Sequence, residues 1–89
     1  IVGGDDMKAQ TQQVFANIQT VLAEAGATMD DVVKILAFIT DMSKYADYAA
    51  ARSEAFPNNL PASSSVATPG LVDSNLLVEV EAVARVGSG

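Results

Sequence analysis

The chain contains no cysteine, histidine or tryptophan, only three prolines, and five Lys plus Arg residues. Without cysteine there is no disulfide framework, no thiolate nucleophile and no zinc site built on sulfur. Without histidine the commonest general acid/base and metal ligand is gone. Any catalysis must therefore rest on carboxylates, hydroxyls and the backbone. The basic residues are outnumbered by eleven Asp plus Glu, for a net charge of −6, which disfavours a non-specific hold on phosphate backbones or anionic membranes. No apolar run nears the roughly 18 residues of a membrane span, and no charged-then-apolar leader opens the chain. A soluble, cytoplasmic protein that binds neither nucleic acid nor membrane is expected.

What is present fits one domain. At 89 residues, only about 60–65% of the unfolded surface can be buried, so an isolated chain is expected to be marginally stable. From Asp5 to Ala25 the apolar residues Met7, Val14, Phe15, Ile18, Val21, Leu22 and Ala25 recur at intervals of three and four, the stripe of an amphipathic helix. Gln10, Gln12, Gln13, Gln19 and Glu24 would cover the rest of its surface. Asp5 and Asp6 suit its N-terminus, and Gly26 suits the left-handed position past its end. Thr28 with Asp31 has capping-box spacing and predicts a single helical turn.

The period then changes from helix to strand. In Val33–Thr40, Val33, Ile35, Ala37 and Ile39 share one face while Leu36 and Phe38 occupy the other, so both faces need cover. Ser43 is a candidate cap for a second helix over Lys44–Phe56, which Pro57-Asn58-Asn59 ends. Strands are expected over Ala62–Thr68 and Leu76–Val86, the latter with Leu76, Val78, Val80, Ala82, Ala84 and Val86 on its apolar face. Ile1-Val2 could be the tail of a leading strand. The domain is assigned to residues 1–86, with 87–89 a flexible tail or scar. Two helices on one side of a sheet leave the other side bare, and a second copy of the subunit is the simplest cover.

Few residues could carry chemistry. Glu79 and Glu81 alternate along one face of the last strand beside Arg85, roughly 7 Å apart by strand rise. They read either as a paired-carboxylate site or, more plainly, as a solvated face with Arg85 balancing its charge. Ser63, Ser64 and Ser65 lack a histidine base, so a polar edge strand is the better account of them than a nucleophile. Asp5 with Asp6 and Asp30 with Asp31 lack the spaced oxygens of a calcium loop and read as helix-start charges.

Several separate stretches resemble one family in the right order. They are Gln10-Thr11, Asn17-Ile18 with the run to Gly26, Met29 to Lys34, Phe38 to Met42, Phe56-Pro57, Pro61-Ala62, and Val78 to Ala82. Together they are similar to the Rid family, the RidA/YjgF-like enamine/imine deaminases also called L-PSP endoribonucleases. The resemblance implies an α+β, chorismate-mutase-like subunit, with a mixed sheet carrying two helices on one face, assembled as a homotrimer with clefts between subunits. It further implies hydrolysis of 2-imino or 2-enamino acids such as 2-iminobutanoate and 2-iminopropanoate to 2-keto acids and ammonia, without metal or cofactor. The small-molecule partner would sit at the subunit interface.

Residue by residue, the resemblance makes Glu79 the catalytic group that positions or activates water, and puts Ser63, Ser64 and Ser65 in the substrate-binding strand. The departures matter as well. Ser63 stands where the family has an Arg that forks onto the substrate carboxylate, Ala49 where Asn is frequent, and Ser65 where Thr or Cys is usual. Arg52 and Arg85 are the available replacements, and the sequence places neither in the cleft. The family's upstream strands have no counterpart before Ile1, which implies a fragment, half of a split protein or a rearranged chain. A non-catalytic small-molecule binding or interaction module is the alternative function. An endoribonuclease ranks below both, since the chain has neither an RNA-attracting field nor the usual acid/base pair.

Overall fold

The computed structural model describes residues 5–87, so the leading strand read at Ile1-Val2 and most of the expected tail lie outside the described residues. Helix α1 spans Met7–Glu24 and helix α2 Tyr45–Ala55; strands β1 (Val32–Ile39), β2 (Ala62–Ala67) and β3 (Val78–Ala84) form one sheet. The sheet order is β2-β1-β3, with β1 parallel to β2 and antiparallel to β3. The α+β architecture expected from the sequence is present, with both helices packed on one face of a mixed sheet.

Local chemistry sets the boundaries. Asp6 caps α1 by accepting from the Ala9 N–H at 3.0 Å. At the other end Gly26, with φ +75, allows Ala27 N–H to reach Leu22 O at 2.9 Å and Gly26 N–H to reach Ala23 O at 3.1 Å. This closing motif satisfies carbonyls the helix would otherwise leave bare. The predicted turn is a 3₁₀ segment over Met29–Asp31, where the Asp31 carboxylate accepts from Thr28 N–H at 2.9 Å. Another 3₁₀ turn over Met42–Lys44 leads into α2, and its cap is Asp41 rather than the expected Ser43. Asp41 accepts from Ser43 N–H at 3.0 Å and from its hydroxyl, which holds the Asp41 carboxyl below the usual range.

The core lies between the helices and the near face of the sheet. Ile35, Ala37 and Ile39 of β1 and Val78 of β3 pack there against Met7, Phe15, Tyr48 and Phe56. The Phe15 and Phe56 rings meet edge to face with centroids 5.4 Å apart. Val33, expected on this face, is instead 44% exposed, and Val32 takes the core position at 6%. The register explains the exchange: Val32 pairs with Ala84 and Lys34 with Val83, so a bulge at Val33 slips the strand's start by one residue. Val86 also misses the expected apolar face, since β3 ends at Ala84 and Val86 is 63% exposed in the turn beyond.

Asp31 ties the ends of the sheet together. Its backbone carbonyl accepts from Arg85 N–H at 2.9 Å, and its side chain accepts from Gly87 N–H at 3.1 Å. Gly87, read from the sequence as the first tail residue, is thus held at the exit of β3. Val21, expected in the helix stripe, is 65% exposed and lines a surface groove with Ile18, Leu22, Ala82 and Ala84.

Candidate functional site

Two groups of side chains with chemical potential stand on opposite faces of the sheet. The first lies beneath α2 at the β2 edge. Tyr45, Tyr48 and Arg52 follow one another at helical intervals of three, four and seven, so all three project from one side of α2. In β2, Ser63 pairs with Ile35 and Ser65 with Ala37, placing both serines on the core face toward that helix. Arg52 Nη1 donates to the Tyr45 hydroxyl at 3.2 Å and to Ser63 Oγ at 3.1 Å. The guanidinium carbon also stands 5.5 Å from the Tyr48 ring centroid, within cation–π range.

Inside this cluster Tyr48 Oη, Arg52 Nε and Ser65 Oγ are enclosed and lack hydrogen-bond partners. The Ser65 hydroxyl is close enough to influence both phenols without being aligned to bond either. Tyr45 is held below the ordinary phenol range, first by Ser65 and then by Arg52. Burial pushes Tyr48 up, and the nearby Arg52 charge opposes that push only in part.

The second group is on the open face. Glu79 pairs across the ladder with Phe38 and Glu81 with Leu36, so both glutamates share a face with these half-buried apolar side chains. Among the described residues no helix covers this side. Glu79 is held by what precedes it: Val78 is buried, and Gln10 grips the approach to β3. Gln10 Nε2 donates to Asn75 O at 2.9 Å and its Oε1 accepts from Leu77 N–H at 2.9 Å. Thr40 adds a backbone bond to Leu77 O at 3.0 Å. Gln10 is only 3% exposed, so it is a buried clamp and not the surface residue its place among the helix glutamines indicated.

The structure therefore divides the residues singled out in the sequence. Ser63 and Ser65 come together with Arg52, whereas Ser64 pairs with Leu36 and lies on the face of Glu79 and Glu81. Within one chain the central strand separates Glu79 from Ser63. Arg85 is exposed beyond β3, and Ala49 is a half-buried residue of α2. The sequence offered Arg52 and Arg85 alike as replacements for the family arginine without placing either; the helical spacing that aligns Arg52 with two tyrosines was the signal that separates them. Asp30 accepts from Asn58 Nδ2 at 3.1 Å, in keeping with a structural role for that acidic pair.

Comparison with known proteins places these features in context. The family model described as endoribonuclease L-PSP matches residues 1–86. A RutC family protein of Pyrococcus abyssi is 39% identical over 84 residues, which cover 94% of this chain and 65% of that protein. AldR of Lactococcus lactis, named for a proposed regulatory role, is 36% identical over 85 residues, covering 96% and 67%. The chain thus spans about two thirds of the length of these relatives. Among solved structures, a Mycobacterium tuberculosis member of the YjgF/YER057c/UK114 family superposes with TM-score 0.90 at 38% identity, over 96% of this chain and 72% of that one. A Yersinia pestis protein of the Rid family gives 0.84 at 37% identity, over 94% and 65%.

Proposed function

The chain belongs to the endoribonuclease L-PSP family, which takes in the YjgF and Rid proteins, and from that membership we propose that it assembles as a homotrimer and hydrolyses 2-imino acids to 2-keto acids and ammonia. The observation that carries the reading is the open sheet face. There Glu79 stands beside Phe38 on a surface that one subunit leaves uncovered. A second copy laid on this face would bury Leu36 and Phe38 and draw Glu79 out of bulk water. Because Glu79 and Ser63 lie on opposite faces of one sheet, a cleft using both must be built from two subunits.

The chemistry asks little of the protein. In the protonated imine the C2 carbon is already electrophilic. Glu79 accepts a proton from water as its oxygen bonds to C2, and the C=N pair moves onto nitrogen to give a carbinolamine. Glu79 then returns the proton to the amine. Glu79, again a carboxylate, takes the hydroxyl proton as the carbonyl forms and the C–N bond breaks; the ammonia released picks up that proton, and the products are a 2-keto acid and ammonium. Holding the water against C2 supplies much of the acceleration. The test is ammonia release from freshly generated 2-iminopropanoate. A rate above buffer that disappears in Glu79→Gln supports the assignment, and a wild-type rate equal to buffer rejects it.

A second reading, a non-catalytic trimeric binding module, is favoured by the family resemblance of the sequence, which implies an arginine where this chain has Ser63. It predicts ligand-induced thermal stabilisation without ammonia release.

A further inference from the structure

Two phenols stand side by side beneath α2 in opposite circumstances. The Tyr45 and Tyr48 rings lie with centroids 5.6 Å apart, and the one guanidinium of Arg52 touches both. Tyr48 is fully buried with its hydroxyl enclosed, so a reagent in solution does not reach it. Tyr45 is only half-buried, and its neighbour in the cluster, Ser63, is exposed at the outer edge of β2. Arg52 Nη1 donates to the Tyr45 oxygen at 3.2 Å. The phenol proton therefore points elsewhere, and the cation favours the anion left when that proton departs. Among the described residues no carboxylate pairs with Arg52 to cancel its charge.

A phenol is a weak nucleophile and its phenolate a strong one, so a reachable phenol with a fixed cation on its oxygen is suited to attack an activated acyl carbon. We propose that Tyr45 is an acyl-accepting nucleophile that takes the acyl group of a small, uncharged ester with a good leaving group. The Tyr45 proton passes to water, the phenolate oxygen bonds to the acyl carbon, and the carbonyl pair moves onto its oxygen. Arg52 and the Ser63 hydroxyl are the donors at hand for that oxyanion. Ser63 Oγ accepts from Arg52 at 3.1 Å, which leaves its own proton to donate. The pair then returns, the bond to the leaving group breaks, and the leaving group departs as its anion, with Tyr45 left as an aryl ester. A neutral donor suits a chain of net charge −6, whereas an acyl phosphate would approach against that field. Among the described residues no carboxylate bonds to Tyr45, Arg52 or Ser63, so no base is placed to direct water onto the ester, and the acyl group should stay.

The groups that face Tyr45 set its pH dependence. From α2 they are Tyr48 and Arg52, and from β2 only the hydroxyls of Ser63 and Ser65; Lys44, just before the helix, has its ammonium held on Asp5 O at 3.1 Å. Ser65 first and Arg52 second hold Tyr45 below the ordinary phenol range. The probe is 4-nitrophenyl acetate, whose 4-nitrophenolate is followed by absorbance. The wild-type chain should release a single burst, and peptide mass mapping should place the acetyl group on Tyr45 and not on Tyr48. Tyr45→Phe keeps the ring packing and should lose the burst. Arg52→Gln should slow it severalfold and move the midpoint of its pH profile up toward the ordinary phenol value, and Arg52→Lys should restore part of both. A merely structural Arg52 would lower the amplitude and leave the midpoint in place. The proposal is overturned by a wild-type chain without a burst, by acetyl groups confined to amines, by a full burst from Tyr45→Phe, or by an unmoved midpoint in Arg52→Gln. None of these readouts involves ammonia, so this site and the deaminase reading stand or fall separately.

Discussion

Gln10 and Leu77, 67 positions apart in sequence, are joined by a 2.9 Å bond from the Leu77 N–H to the Gln10 side-chain oxygen. The same amide donates to Asn75 O, so one helix residue satisfies two backbone groups at the entrance to β3. Gln10→Ala removes both bonds, each part-buried and with Asn75 itself exposed. The expected loss is about 1–3 kcal/mol, taking about 0.5–1.5 kcal/mol for each bond. Urea denaturation measures it, and a change below about 0.5 kcal/mol would show that the clamp is dispensable.

Phe38 faces the open side beside Glu79, and its replacement by Asp separates folding from assembly. In a lone subunit the new carboxylate can reach water; in an assembly built on this face it is a buried, unpaired charge next to a glutamate, costing several kcal/mol. Light scattering should give a monomer that retains its far-ultraviolet circular dichroism. An unchanged oligomer mass would place the subunit contact elsewhere.

The two tyrosines are the only titrating chromophores near 295 nm, because the chain has no tryptophan. Tyr45 is shifted down and Tyr48 up from 10.0, so the absorbance titration should rise in two steps on either side of that value. The stability signs are opposite. A raised Tyr48 contributes stability that is complete below the unfolded value and lost as pH climbs through the folded one. A lowered Tyr45 contributes stability present above the unfolded value and lost as pH falls through the folded one. A single step that Tyr48→Phe merely halves would contradict the buried placement.

Tyr48→Phe also removes a hydroxyl with no partner, so it should leave stability within about 0.5 kcal/mol of wild type or raise it. Thermal unfolding decides the matter. A loss above about 1 kcal/mol would reveal a bond this hydroxyl makes in solution.

Restoring an arginine at position 63 has a consequence that depends on Arg52. Ser63→Arg alone sets two guanidinium groups where Arg52 and Ser63 are now 3.1 Å apart, and their repulsion offsets the added anchor. Ser63→Arg with Arg52→Gln relieves it. The double variant should bind pyruvate about tenfold more tightly than the single one; equal affinities would show that the two positions do not share a ligand.

The elements were legible because their periods are clean: the α1 stripe, the alternating face of β3 and the left-handed Gly26 all follow from local chemistry. What escaped was set by partners distant in sequence. The bulge at Val33 exists only because β3 pairs with β1, and it reverses which valine enters the core. Gln10 looks like any surface glutamine until α1 docks beside residues 75–77. In the candidate site, the alternation of Ser63, Ser64 and Ser65 was readable, but which of them faced Arg52 awaited the parallel register with β1.

The sheet order gives the nascent chain an uneven history. Among the described strands β1 is the middle one in space and the first in sequence, so its two edges are filled by segments that leave the ribosome after it. When Ile39 has emerged, α1 is already available to shield the apolar side of β1. The β2 edge is filled next, some two dozen residues on, and the β3 edge last of all. Until Val78–Ala84 docks, the central strand exposes a row of unpaired amides along its β3 edge. A chain that stopped before Val78 would therefore leave the β3 edge of β1 open and be prone to pair with its neighbours.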